Sequence, residues 1–219
     1  MSRVLAFTHE TSSLAALAGG TLAKFASLGG ERFMAEVAYG AGGSSGERDR
    51  LGEAVAGAFG AKWLGCVALD SEDDGRPVRD PVMDVIRRAR PDVIIVPAHD
   101  GSEPMSLAEL VFNAAYCSTI PNYISPTGLE AASVRAPILL MDNPFARDYQ
   151  PDSYVDISEH WDAKVRAVEF CEEAGASADI RHMAETSSRA RGVQVQVEFA
   201  EAFRFERVWG RLRPYRLLP

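Results

Sequence analysis

Pro91-Asp92-Val93-Ile94-Ile95-Val96-Pro97 is the stretch on which the fold turns. Four β-branched apolar residues stand in a row with no polar position among them. A strand with one wet face alternates in polarity, whereas a strand covered on both faces does not; continuous apolar runs are the habit of parallel sheets flanked by helices. Working outward from Val93–Pro97, further strands are expected at Val4–Thr8, Phe33–Tyr39, Trp63–Leu69 and Ile138–Met141. Amphipathic stretches fall between them, at about Ser13–Leu28, Gly46–Phe59, Val78–Ala89 and Met105–Tyr116. Another helix is expected over Glu159–Glu173, with Ser158 as its N-cap. This alternation describes an α/β three-layer sandwich, a mainly parallel sheet with helices on both faces. The tail Gly192–Trp209 reads two ways: Val193–Val197 alternates like a strand, while Phe199, Ala202 and Phe203 keep helical spacing. The Pro-containing connection Ile120–Pro137 is long enough to be a candidate flap.

Composition bounds the function. The chain has 219 residues, 47% hydrophobic and 25% charged, which excludes a disordered tail, a fibre and a disulfide scaffold. One domain covering the whole chain is expected, and at this size about 70% of the unfolded surface can be buried without staples. Lys and Arg number 23 against 31 Asp and Glu, a net charge of −8 that disfavours nucleic acid and anionic membranes as partners. Cys66, Cys117 and Cys171 form no CxxC pair, so they read as buried free thiols and not as a zinc ribbon or redox dithiol. The apolar stretch after Met1-Ser2-Arg3 is shorter than a signal-peptide core, and no run approaches the ~18 residues of a membrane span. A cytoplasmic protein with a small-molecule ligand is expected.

Open parallel sheets bind ligands outside the carboxyl ends of their strands. The candidates there are His9 and Glu10 after the first strand, His99 and Glu103 after the fourth, and Asp142 after the fifth. His99, at the end of a buried strand, can pair with a carboxylate and serve as a general acid or base near neutral pH. Glu10, His99 and Glu103 together are an alternative, makeshift metal set. Each has a plainer reading: His9 as a polar residue near a helix start, Glu103 as a carboxylate complementing a helix dipole. Asp100 reads as capping the turn at Gly101 and Ser12 and Ser13 as helix caps, since no G-x-S-x-G elbow surrounds the serines. The loop Gly40–Gly46 has backbone amides for an anion but no P-loop lysine. His160 and His182 are expected on the surface, and Arg204, Arg207, Arg211, Arg213 and Arg216 as a solvated face or subunit contact in a homo- or hetero-oligomer.

Several ordered segments resemble PIG-L/LmbE-like zinc-dependent de-N-acetylases. The opening strand, His9 and Ala18-Gly19-Gly20-Thr21-Leu22-Ala23 look like that family's A-H-P-D-D-E strand end followed by a G-G-T-(I/L)-A helix. Arg50 and Glu53 before Leu64…Asp70 fit its R-x-x-E stretch, and Pro91-Asp92-Val93 fits its P-D-V strand. Tyr154-Val155-Asp156-Ile157 before a Trp- and Lys-bearing helix resembles its late D-I-(S/T) segment. Arg191-Gly192 with Phe199-Ala200-Glu201-Ala202-Phe203 resembles its closing R-G…(Y/F)-A-E-A-F run. A hydratase relative, 4-oxalomesaconate hydratase, is similar at the A-G-G helix start and at Pro151–Ser158 followed by Trp161-Asp162-Ala163-Lys164.

The resemblance implies a zinc held by the His and the second Asp of the first motif and a His of a later H-P-D-H, with the first Asp as general base. Here His9-Glu10-Thr11-Ser12-Ser13 places Thr11 and Ser12 at the two aspartates if His9 is matched. A gap-free match instead puts Glu10 at the His and Ser13 at the ligand Asp. Glu103-Pro104-Met105-Ser106 stands where H-P-D-H belongs. No cofactor is therefore expected, the family zinc included. Three functional expectations stand: a hydratase- or hydrolase-type enzyme for a small carboxylated or acylated metabolite, working by acid–base chemistry; a noncatalytic subunit supporting an active homologue; or a small-molecule binding module.

Overall fold

Leu5 and Phe7 of the first strand face one side of the central sheet and Val4 and Ala6 the other, and all four are buried. That two-sided burial is the source of the apolar runs. The computed structural model describes residues 2–39, 45–69, 79–99, 106–125, 127–143, 149–177 and 179–206. Along these the chain runs β1 (Arg3–Thr8), α1 (Thr11–Ser27), β2 (Glu31–Tyr39), α2 (Ser45–Ala58), β3 (Lys62–Leu69), α3 (Arg79–Ala89) and β4 (Val93–Pro97). It continues through α4 (Leu107–Ser118), β5 (Ile138–Met141), β6 (Ser153–Asp156), α5 (Trp161–Glu173), α6 (Asp179–Val195) and β7 (Ala200–Phe205).

The sheet order is β3-β2-β1-β4-β5-β7-β6. The first five strands are parallel, and β7 runs antiparallel to both β5 and β6. Helices α3 and α4 cover one face, packing on Leu5, Phe7, Ile94, Val96 and Leu140. Helices α1, α2, α5 and α6 cover the other, over Val4, Ala6, Met34, Ile95 and Phe203. This is the expected three-layer α/β sandwich. Each fully buried Ile or Val contributes roughly 1.5–3 kcal/mol, so β4 alone is a strong organising element.

Gly65, at φ +101, forms a bulge in the edge strand β3, where the register slips between Met34 and Glu36. The slip sets Cys66 opposite Glu36. Gly19 and Gly20 serve a different need. A Cβ on Gly19 would lie 2.5 Å from the Phe59 ring, and one on Gly20 would lie 2.6 Å from Ile157 Cδ1. The glycine pair thus lets two neighbours press directly on the α1 backbone.

Several expectations are corrected. Helix α1 starts at Thr11, with Glu10 as an extended N-cap residue, so Ser12 and Ser13 lie inside the first turn and cap nothing. Thr8 organises the entry, its Oγ1 donating to the Glu10 carbonyl (2.6 Å) and accepting from the Glu10 amide (3.1 Å). Ser158–His160 is a 3-10 turn and α5 begins at Trp161. Val193–Val195 closes the unexpected helix α6, and Ala200–Phe205, read as helical spacing, is strand β7. Because β7 lies between β5 and β6, its first four residues are all buried and show no alternation.

The stretch Ile120–Pro137 is irregular but is not a free flap. The buried Arg87 guanidinium donates to the carbonyls of Cys117, Ser118, Ile120, Tyr123 and Leu129. The buried Asp84 carboxylate accepts from the hydroxyls of Ser125 and Thr127. Both anchors belong to α3, which holds the connection along its flank. Cys117 and Cys171 are buried as expected, but Cys66 is only half-buried, and all three are free. His182 is exposed and His160 half-buried. No helix among the described residues is long and apolar enough to cross a membrane.

Candidate functional site

Strand β1 leads to β2 on one side of it in the sheet, while β4 lies on its other side. The point between β1 and β4 is therefore where the strand order reverses, the place at which open parallel sheets bind ligands, outside the strands' carboxyl ends. Thr8 pairs with Glu36, Ala6 with Ile95 and Pro97 with Met141. Extending that register sets His9, Ala98 and Asp142 level along the rim, with His99 one residue further out.

On the β2 side, His9 Nδ1 lies 2.9 Å from the Val37 carbonyl. Since a carbonyl only accepts, Nδ1 carries the proton in this contact. Thr11 Oγ1 donates to Glu36 Oε2 (2.7 Å), and Arg48 Nη1 donates to Glu36 Oε1 (2.6 Å). Adjacent residues of β2 thus hold both flanks of the β1–α1 junction, Val37 through His9 and Glu36 through Thr11. Glu10, between them, is exposed. The Cys66 thiol faces Glu36 at 4.0 Å, and burial, reinforced by that carboxylate, pushes the thiol up from its ordinary value.

On the β5 side, Asp142 is buried and its Oδ2 accepts from Arg191 Nε of α6 at 2.6 Å. Asn143 Nδ2 donates to the Ala98 carbonyl (3.1 Å), tying this strand end to the segment that carries His99. His99 itself is exposed. Tyr149 donates to the Leu140 carbonyl (2.9 Å), and burial pushes its phenol above the ordinary range.

A second polar cluster is buried at the start of β7, beside the end of β5. Glu201 of β7 accepts from Lys164 Nζ (2.8 Å) and from the backbone amides of Gly20 (2.8 Å) and Thr21 (2.7 Å). Lys164 also donates to Ser188 Oγ at 2.8 Å. Burial pulls the Lys164 ammonium below the usual lysine range, and Glu201 works against that pull.

Of the five residues read from the sequence, the structure places His9, Glu10, His99 and Asp142 at the carboxyl ends of β1, β4 and β5. Glu103 lies outside the described residues, as do Asp100 and the Gly40–Ser44 part of the glycine-rich loop. Sequence reasoning missed Glu36, Arg48 and Arg191. Glu36 had a signal, being a lone charge inside the apolar run Phe33-Met34-Ala35-Glu36-Val37-Ala38. Arg191 stood in a quoted motif without a site role. Among the described residues, no three His, Cys, Asp or Glu side chains are grouped to hold a metal ion.

No protein-family model and no curated protein matches the chain. Solved structures do. The 4-carboxy-2-hydroxymuconate hydratase GalB of Pseudomonas putida superposes with a TM-score of 0.75 at 19% identity, covering 97% of this chain and 100% of that one. A conserved protein of Thermus thermophilus gives 0.75 at 20% identity, with 97% and 100% covered. The N,N'-diacetylchitobiose deacetylase of Pyrococcus horikoshii gives 0.68 at 21% identity, with 93% and 83% covered. Likeness at this level of identity is a likeness of fold, and the chain has the three-layer α/β fold that this deacetylase shares with the hydratase.

Proposed function

We propose that this chain is a hydratase- or hydrolase-type enzyme for a small carboxylated or acylated metabolite, working at the β1/β4 strand ends by acid–base chemistry without the zinc of the de-N-acetylases it resembles. The observation that carries the reading is the convergence of His9, His99 and the Asp142–Arg191 pair on neighbouring strand ends. Donor chemistry favours a zinc-free site. Where the resemblance puts the motif's aspartates, this chain has Thr11 and Ser12, and the Thr11 hydroxyl donates to Glu36. Both Glu36 oxygens are already engaged, by Thr11 and Arg48. These residues do not fit a tetrahedral zinc with three protein ligands.

In this reading His99, at the rim, moves the proton, with Glu10 or Glu103 as carboxylate partner. His9 is held at Nδ1 by the Val37 carbonyl. Asp142 fixes Arg191 and is not itself the base. In a hydration, water loses a proton to the base, its oxygen bonds one carbon of an activated double bond, and the other carbon takes a proton from the acid. Metal content and turnover test this together. Chelator-treated protein is offered unsaturated hydroxy-carboxylates and N-acetylated amino sugars. Turnover that persists without metal and is lost in His99→Ala is expected; stoichiometric zinc needed for turnover overturns the reading.

A second reading has its own support. The buried rim carboxylates Glu36 and Asp142 are each neutralised by an arginine, as suits a noncatalytic subunit of a homo- or hetero-oligomer. Its signature is co-purification with a second chain that carries the complete zinc motifs, with no turnover by this chain alone.

A further inference from the structure

Arg191 is held unlike an ordinary surface arginine. Its Nε donates to Asp142 Oδ2 at 2.6 Å and its Nη1 to Gln194 Oε1 at 3.1 Å, while Nη2 makes no hydrogen bond among the described residues. The Arg191 side chain is 22% exposed against 8% for Asp142, so solvent reaches the guanidinium but not the carboxylate beneath it. A guanidinium anchored through Nε leaves Nη2 and the second hydrogen of Nη1 to donate, and that planar fork matches the two oxygens of a carboxylate. The side chain that shares Nη1, Gln194, is exposed, and its Oε1 also accepts from the Tyr154 hydroxyl at 2.9 Å.

The fork stands over the end of β5, and Asp142 is level with Ala98 of the adjacent strand, one residue before His99. Neighbouring strands are about 4.8 Å apart. A ligand carboxylate on Arg191 would therefore hold the atoms next to it within reach of the His99 imidazole. An anion bound by a chain of net charge −8 also needs a local, pre-oriented cation, and Asp142 supplies the orientation at a buried position.

We infer that the Asp142–Arg191 pair is a carboxylate-binding subsite, which selects ligands bearing a carboxylate adjacent to the group that His99 faces. This rests on the acid–base reading of the rim for its consequence in turnover, but the binding itself does not require turnover.

The test is a titration with cis,cis-muconate at constant ionic strength in chloride, followed through the arginine Nε–Hε resonances by 15N–1H NMR. The Arg191 peak, assigned by its loss in Arg191→Lys, is expected to shift and saturate. Arg191→Lys keeps a cation beside Asp142 and should fold, yet it should bind at least tenfold more weakly because the fork is gone. The paired variant Asp142→Asn/Arg191→Gln, which leaves no buried charge, should also lose binding. A diester of the same acid should not bind. Absence of a saturable Arg191 shift, equal binding by Arg191→Lys, or equal binding of the diester overturns the subsite. Saturable, fork-dependent binding with no turnover of any tested compound keeps the subsite and overturns the acid–base reading instead.

Discussion

Lys164 Nζ and Glu201 Oε1 lie 2.8 Å apart in the interior, each side chain only 1% exposed. The same carboxylate accepts the Gly20 and Thr21 amides from the middle of α1. Ser188 of α6 completes the ammonium's partners. Three of the sequence segments that resemble the de-N-acetylases, Gly19-Gly20-Thr21, Trp161…Lys164 and Phe199–Phe203, thus meet in one buried polar node. It ties α1, α5, α6 and β7 together beside the end of β5, where Phe203 pairs with Met141 and the Asp142 carboxylate also acts on Lys164.

Glu201→Ala would leave the buried Lys164 ammonium without its counter-charge. Removing one partner of a buried pair costs about 3–5 kcal/mol. Urea denaturation should show a loss of that size. Replacing both charges, as Lys164→Met/Glu201→Leu, should cost less than the sum of the two single changes, a coupling that a double-mutant cycle reads directly.

Two glycines in helices should respond with opposite sign. Helix propensity favours Ala over Gly by about 1 kcal/mol. At Gly57 of α2 nothing lies within 4 Å of a built Cβ, so Gly57→Ala should stabilise by roughly 0.5–1 kcal/mol. At Gly20 the Cβ would meet Ile157 at 2.6 Å, so Gly20→Ala should destabilise by about 1–3 kcal/mol. Thermal melts of both proteins decide it.

Thr11 is 1% exposed and its hydroxyl donates to the Glu36 carboxylate. Thr11→Val keeps the shape and removes the bond, which should cost about 1.5–3 kcal/mol because the acceptor is charged. Thr11→Ser keeps the donor and should cost less than Thr11→Val. A smaller loss for Thr11→Val than for Thr11→Ser in a denaturant series would mean that the methyl group matters and the hydrogen bond does not.

Arg87→Gln should loosen the stretch 119–137 with little effect on the sheet. Gln has two amide hydrogens where the guanidinium reaches five carbonyls, so several buried acceptors lose their donor. Limited proteolysis should cut this variant within 119–137 well before the wild type. An unchanged cleavage pattern would show that Asp84 alone holds the segment.

Thiol labelling should follow burial and charge. Cys171 is pushed up to about 12 by burial, and Cys66 is raised by burial and by Glu36. The thiolate is the reactive form. Iodoacetamide at pH 8 should therefore leave the native protein largely unmodified. Raising the pH toward 10 should label half-buried Cys66 first, with Cys171 reacting only on unfolding. Rapid modification of Cys66 at pH 8 would contradict the geometry around Glu36.

How much was legible beforehand follows from the physics of each element. Val93–Pro97 announced a strand covered on both faces because burial on both faces removes alternation locally. The same effect concealed β7: Phe199, Ala202 and Phe203 mimic helical spacing only because all the side chains in that stretch are buried. Strand β6, three half-buried residues and the exposed Asp156 at the sheet's edge, carried too short a pattern to stand out. At the rim, His9, Glu10, His99 and Asp142 were found because strand ends are visible in sequence. Arg48 and Arg191 sit on helices, and nothing local says toward which carboxylate a long cationic side chain turns.

The sequence by itself determined the layers, the parallel core strands and the rim on which a site would lie, since these depend on polarity patterns spanning five to fifteen residues. Only the tertiary structure decided which charges meet. Gly20 and Glu201 are 181 residues apart and Arg191 and Asp142 are 49 apart, and no local pattern encodes such pairings. They form because a buried charge costs several kcal/mol unless it finds its partner, and packing the helices on the sheet brings that partner within reach.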